Sequence, residues 1–471
     1  MKKRMFYEII HRVQEKIGNS LGSKLALGTT LTLLMLNGVV SAQSAPAKFV
    51  PFQNFIDQTT TADASDYLSR PASKVKDAGA FEEMRQHILN TYQDVEVNHS
   101  FVLDSAHYDC VPTMQQPAVR KYGITKVATP PPASPLDELA RADDAASGPK
   151  RALPANEKNP FDAFGNSVQC EENTVAIRRV TLETTTRFQT LKQFFQKSPN
   201  EQLPEHKKAF LTPGGPAHKY SLTYQYVNNL GGNSVLNVWD PYVNTSLGEG
   251  FSLTQEWYVG GIYSSAPPCG GVESCAIQTE EVGWVVYPGM FGDENPHFFI
   301  FSTPNGYASG CWDNSCGDFV VCDGCDGGVI GASLSPVSVL DGAQYESQMR
   351  YYFWEGNWWV QFESNWVGYY PGSMYGSGQN SKYAQEIEYG TEGTGTTVWP
   401  PEGSGQWPSK GWKYAAYQRS LYYTNTSDVG IWDAVTPDIL SPNCYSINGP
   451  IYGSGAWNDY FYDGGPGGHG C

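Results

Sequence analysis

With 48 acidic side chains against 31 basic ones, the chain carries a net charge of −17, the wrong sign for a protein that holds nucleic acid by neutralising phosphates. Its 471 residues, 40% hydrophobic and 13% aromatic, are enough for two or three domains with cores of their own. So acidic a surface suits an acid environment, where protonation of carboxylates relieves self-repulsion.

The chain opens like an export signal. Lys2, Lys3, Arg4, Arg12, Lys16 and Lys24 precede the apolar run LALGTTLTLLMLNGVV, and VSA offers a small-residue cleavage site after Ala42. The run is short for a bilayer span and contains Thr30, Thr32 and Asn37, which favours cleavage over an uncleaved anchor. Residues 1–42 are therefore expected to be a signal peptide, and the protein to be secreted (extracellular or periplasmic) without stable membrane association. Removing them takes six basic and two acidic residues and moves the net charge from −17 to −21. All ten cysteines lie beyond the signal, an even set that in an exported chain reads as disulfides. Cys311-x4-Cys316 followed by Cys322-x2-Cys325 also fits a four-thiolate zinc site, and Asp313, Asp318, Asp323 and Asp326 a calcium loop. Oxidising export favours disulfides and a solvated loop instead, so neither metal nor cofactor is expected.

Next, GAFEEMRQHILNTY places Phe81, Met84, Ile88, Leu89 and Tyr92 at helical spacing. EVNHSFVLDSAHYDCVP turns strand-like, and residues 126–160, rich in Pro, Ala and charge, read as a linker or long loop. A second ordered piece over 170–195 runs into SPNEQLPEHKKAFLTPGGPAHK, whose Pro, Lys and Gly content predicts an exposed junction within about residues 195–219. From Tyr220 onward, short aromatic and β-branched runs alternate with Gly, Pro, Asn and Asp. That half is expected to be all-β, an antiparallel β-sandwich.

The chemistry narrows by elimination. Beyond residue 205 the histidines are His206, His218, His297 and His469, the first two in the junction, and neither HExxH nor GxSxG occurs. Zinc, serine and cysteine hydrolysis all lean on imidazole, which leaves carboxylates. Two held close share a proton, so one serves as base to a water while the other donates. In TEEVGWVVYP, strand alternation puts Glu280 on the face of Val282, Trp284 and Val286, where it is expected to reach solvent at the end of the face. Glu281 shares the other face with Gly283, whose missing side chain would let a substrate approach. QEIEYGTEGTG repeats the design, and parity leaves Glu388 and Glu392 both open.

At these two stretches the chain resembles the neprosin family, secreted glutamic endopeptidases that cleave after proline. TEEVGW is similar to the family's IEAGW-like stretch, with Glu281 in the glutamate position, and YGTE is similar to its WGGE-like stretch, ending in Glu392. NVWDPYV, FSLTQEWYVGG, YPGMFGD, GCWDNSC, GASLSPVSVLDGAQ, EGNWWVQF, VGYYP, GSGQWPSKGWKYAAY and the closing NCYSIN and YFYDGGPGGHGC follow in order. FEEMRQHIL, DCVPTMQQPAVR and NTVAIRR look like the family's activation segment, so the likeness spans roughly residues 75–125 and 170–471. The resemblance implies an α+β activation propeptide over 43–215, a catalytic β-sandwich of two packed sheets over 216–471, and Glu281 and Glu392 as a metal-independent catalytic pair. It also implies disulfides Cys311–Cys316 and Cys444–Cys471, with Cys269, Cys275, Cys322 and Cys325 as extras of this chain. The implied partners are proline-containing protein or peptide substrates and the chain's own propeptide as inhibitor. Glu402, where the family commonly has methionine, and Thr391, in place of a glycine, are departures beside the groove. Tyr287, Trp358, Trp359, Trp366 and Tyr369 are candidate aromatic walls for a proline ring. Two other readings fit the same acids and aromatics: a carbohydrate-binding sandwich, and a glycoside hydrolase with carboxylates ~5–9.5 Å apart.

Overall fold

In the computed structural model, the residues described are 48–132, 149–197, 217–261, 277–325, 328–453 and 457–471. The expected signal, most of the expected junction, and Cys269 and Cys275 lie outside them. The N-terminal segment and the β body belong to one compact unit, residues 46–471.

The N-terminal segment is α+β. Helices α1 (Phe52–Thr61), α2 (Ala64–Leu68) and α3 (Ala78–Thr91) come first. In α3, Asp77 caps the first turn by accepting from the Ala80 N–H at 2.8 Å, and Phe81, Met84 and Ile88 are buried at the spacing the sequence predicts. Strands β1 (Ser100–Leu103), β2 (Ala106–Pro112) and β3 (Thr174–Arg178) form an antiparallel sheet, tied by a disulfide between Cys110 and Cys170. Helices α4 (Leu182–Thr185) and α5 (Leu191–Phe195) end the segment. Within the stretch read as linker, residues 150–154 instead add two short strands, pairing with Tyr345–Glu346 and Leu334–Ser335 and burying Ala152 between them.

The second half is the expected antiparallel sandwich. Its main strands are β4 (Ala217–Asn237), β5 (Ser252–Gly260), β6 (Gln278–Val286), β7 (His297–Thr303), β8 (Cys311–Trp312), β9 (Val320–Val321), β10 (Tyr345–Trp354), β11 (Asn357–Phe362), β12 (Asn365–Pro371) and β13 (Ala384–Gly395). Hydrogen bonding runs without a break in the order β8-β7-β6-β5-β13-β4-β10-β11-β12-β9. The two layers therefore share strand β4, whose first part pairs with β13 and whose last part pairs with β10. The turn between layers falls at Gly231, with φ +105°, where a Cβ would lie 2.1 Å from the Tyr351 carbonyl oxygen.

Two apolar clusters follow from strand alternation. Val282, Trp284 and Val286 of β6 pack inward with Phe298, Ile300, Tyr351, Trp358, Phe362 and Tyr370, joining the layers. The opposite face of β5–β7, carrying Leu253, Val285, Phe299 and Phe301 together with Trp312, is covered by Phe81, Met84, Ile88, Leu191 and Phe194 of the N-terminal segment. Glu281 lies on this covered face.

Candidate active site

Register defines the floor of the site. Strand β5 lies between β6 and β13, and three rows cross it on the covered face: Glu281–Trp257–Glu388, Gly283–Gln255–Gly390 and Val285–Leu253–Glu392. Glu281 and Glu392 thus occupy opposite corners of a patch whose centre is Gln255. Gly283 does not leave room for a substrate, as its sequence context predicts. A Cβ there would lie 2.6 Å from the Cβ of Gln255 and 2.1 Å from the Thr254 carbonyl oxygen, so the glycine lets β5 and its glutamine come close.

Above this floor sits a cation from the N-terminal segment. Thr190 caps α5 by accepting from the Gln193 N–H, Phe194 is buried against β7 and Trp312, and the chain leaves the helix extended at Gln196. Gln196 is held at both ends: its carbonyl accepts from Trp312 Nε1 at 3.2 Å, and its amide donates to the Tyr307 carbonyl at 3.1 Å. Lys197 is thereby delivered between the two glutamates, its Nζ 2.6 Å from Glu281 Oε2 and 2.8 Å from Glu392 Oε2. Trp257, Phe301, Trp312 and Phe299 surround the ammonium at 5.5–6.0 Å from their ring centres.

Each carboxylate has further partners. Thr279 Oγ1 and the Tyr307 hydroxyl donate to Glu281 Oε1 at 2.8 and 2.9 Å. His218 Nδ1 donates to Glu392 Oε1, and Gln255 Nε2 donates to Glu392 Oε2 at 3.3 Å. Burial pushes the Glu392 carboxyl up, but the charges of Lys197 and His218, with their hydrogen bonds, outweigh it and hold the group at about 2.

Several expectations change. Glu280 does not reach solvent: it is fully buried, accepts from Asn380 Nδ2 at 2.7 Å, and burial raises its carboxyl well above the ordinary range. Of Glu388 and Glu392, it is Glu392 that shares Lys197 with Glu281. Trp358 packs in the core between the layers, Trp359, Trp366 and Tyr369 pack with Ala118 and Val119, and Tyr287 lies against Trp312; the rings around the ammonium are Trp257, Phe299, Phe301 and Trp312. His297 lies between Asp293 and the Gly331 carbonyl, stacked on Phe291. His218, read as part of the junction, instead begins strand β4, two residues from the Tyr220 that pairs with Glu392. Lys197 carried no sequence signal.

Cysteines 311 and 316, 322 and 325, and 444 and 471 are joined in pairs, so the four-thiolate zinc arrangement does not form. Among the described residues no helix is long and apolar enough to cross a membrane.

A solved structure of scytalido-glutamic peptidase with a transition state analog inhibitor shows 10% identity over 52% of this chain and 97% of that chain, with a TM-score of 0.28, an overlap too slight to bear on fold or activity. Residues 248–466, which contain both glutamates, match the Neprosin family model. Over those residues the chain belongs to the Neprosin family.

Proposed function

We propose that this protein is a secreted glutamic endopeptidase made as a zymogen, with Glu281 and Glu392 as its catalytic pair and a preference for cleaving after proline. Membership of the Neprosin family supports a peptidase acting on proteins or peptides. The observation that carries the reading is the shared cation: one buried lysine from the N-terminal segment neutralises both glutamates at once. In this reading the segment through Lys197 is the propeptide, and Lys197 occupies the place of the reacting water and scissile carbonyl. The rings around the ammonium fit a proline side chain, which offers no amide hydrogen and is recognised by apolar contact.

Once the lysine leaves, His218 still faces Glu392 and favours its ionised form, so Glu392 is the base. Thr279 and Tyr307 occupy Glu281 Oε1, so a proton on Glu281 sits on Oε2, the oxygen that faces the cleft, and Glu281 is the acid. Water adds to the carbonyl carbon as its proton passes to Glu392 and the carbonyl π pair moves onto oxygen. Collapse then breaks the C–N bond, and the leaving nitrogen takes the proton of Glu281.

The test is hydrolysis of a quenched proline-containing peptide across pH 2–8 by full-length protein preincubated in acid, beside Glu281→Gln and Glu392→Gln. Acid-triggered cleavage, absent in both variants, is expected. A flat or alkaline profile, or full activity in either variant, overturns the pair.

A further inference from the structure

We propose that Gln255 is a third catalytic group of this centre, its N–H holding Glu392 and its carbonyl oxygen receiving a hydrogen of the attacking water. The inference rests on the two-glutamate reading above.

Gln255 is the only side chain in the middle row of the floor, with Gly283 on one flank and Gly390 on the other. Gly283 lets the glutamine lie close against β6, its missing Cβ falling 2.6 Å from the Cβ of Gln255, while Glu281 and Glu392 stand at the corners. Its amide and the Lys197 ammonium donate to the same atom, Glu392 Oε2, at 3.3 and 2.8 Å. The carboxamide therefore borders the volume that the lysine fills. An ionised carboxylate only accepts, which fixes the nitrogen toward Glu392 and leaves Oε1 as the free end. Gln255 is fully buried, and Oε1 has no partner among the described residues.

A buried acceptor left unpaired costs about 1–3 kcal/mol, and such groups in native proteins are otherwise satisfied. The ammonium does not reach Gln255 Oε1, but a water that replaces it, free of the lysine stem, can settle between Glu392 Oε2 and Gln255 Oε1. It gives one hydrogen to each, and its lone pair is then directed away from both, toward the substrate carbonyl. The hydrogen on Oε2 passes to Glu392 as the new C–O bond forms, and the hydrogen on Oε1 stays on the attacking oxygen. After the C–N bond breaks, solvent carries the proton from Glu392 back to Glu281, restoring the pair.

The experiment compares kcat, KM and the pH profile of acid-treated full-length protein with Gln255→Met and Gln255→Glu, using Glu392→Gln as the inactive control. Methionine keeps the volume and supplies neither donor nor strong acceptor, so kcat is expected to fall by ~10²–10³ with KM within about threefold. Glutamate keeps the shape but sets a like charge beside Glu392, which raises its pKa and moves the acid limb of kcat upward by about one pH unit. A glutamine that only packs the floor would leave kcat of Gln255→Met unchanged. Normal kcat in a folded Gln255→Met protein overturns the proposal. If that variant does not fold, an unmoved acid limb in Gln255→Glu overturns it. A wild-type protein inactive at every pH removes the glutamate pair and Gln255 together. Active wild type, inactive Glu392→Gln and fully active Gln255 variants remove Gln255 alone.

Discussion

Lys197 Nζ and Glu392 Oε2 lie 2.8 Å apart with both side chains 1% exposed, an ion pair formed between the N-terminal segment and the strand that carries the second glutamate. Breaking one partner of a buried pair leaves an uncompensated charge, which typically costs 3–5 kcal/mol. Here the group left behind can escape that cost, because two facing carboxylates share a proton. Lys197→Met is therefore expected to weaken the hold of the segment without emptying the site of function. Full-length Lys197→Met, never exposed to acid, should cleave peptide at pH 5–6 at least ~10-fold faster than untreated wild type, the scale of a 1.4 kcal/mol change. A variant as latent as wild type would show that the lysine is not the lock.

The same pair sets a pH window. Glu392 is held at about 2 against an ordinary 4.5, so its folded pKa is depressed. Stabilisation from a depressed carboxyl is present above the unfolded value and is lost as pH falls through the folded one. The hold of Lys197 should thus weaken progressively between about pH 4.5 and 2. Activation rates measured in steps from pH 6 to 2 should rise across that interval, and complete activation at pH 6 would be incompatible with it.

How much of this was legible in the sequence differs by element. Alternation in TEEVGW put Glu281 and Glu280 on opposite faces, and the structure keeps them there, because a strand with buried Val282, Trp284 and Val286 has only one usable register. The same alternation misplaced Glu280, since the end of that inner face is closed by Asn380, 100 positions away, which alternation cannot show. Gly283 was recognised as a site of close approach, but the approaching group is Gln255 across the ladder rather than a substrate. Lys197 and His218 could not be found from spacing: each reaches Glu392 from more than 170 positions away. His218 becomes visible only once β4 is paired with β13.

Acid also governs the fold itself. Burial pushes Asp463 up to about 7 and Asp433 to about 8, and it raises Glu256 and Glu402 well above the ordinary range. Ser234 and Tyr258 face Glu256, and Gln418 faces Asp463, but burial outweighs them. A raised folded pKa means the stabilisation is full below the unfolded value near 4 and declines as pH rises through the folded value. The melting temperature should hold below about pH 4 and fall from there to about pH 8. For Asp463 alone, a rise from 3.8 to about 7 corresponds to roughly 4 kcal/mol. Asp463→Asn should flatten part of the alkaline decline, and calorimetry at pH 4, 6 and 8 reads it directly. A melting temperature that climbs from pH 4 to 8 would contradict the buried-acid account.

Gly283 gives the sharpest link between packing and site. Its backbone lies in an ordinary extended strand, so the cost of a side chain is steric rather than conformational. A single methyl would stand 2.1 Å from the Thr254 carbonyl oxygen and 2.6 Å from the Cβ of Gln255, contacts that neither a paired strand nor a buried glutamine can yield to without moving. Overpacking of this kind costs typically 1–3 kcal/mol. Gly283→Ala should lower the unfolding free energy by that much, read as a lower urea midpoint at an unchanged m-value, since the surface exposed on unfolding is the same. It should also displace Gln255 from Glu392, so the residual folded protein should lose kcat by ~10-fold or more while KM stays close to wild type. Alanine at this position with a wild-type midpoint and wild-type kcat would mean that β5 and β6 lie farther apart than the ladder places them, and that the floor of the site is not built around Gln255.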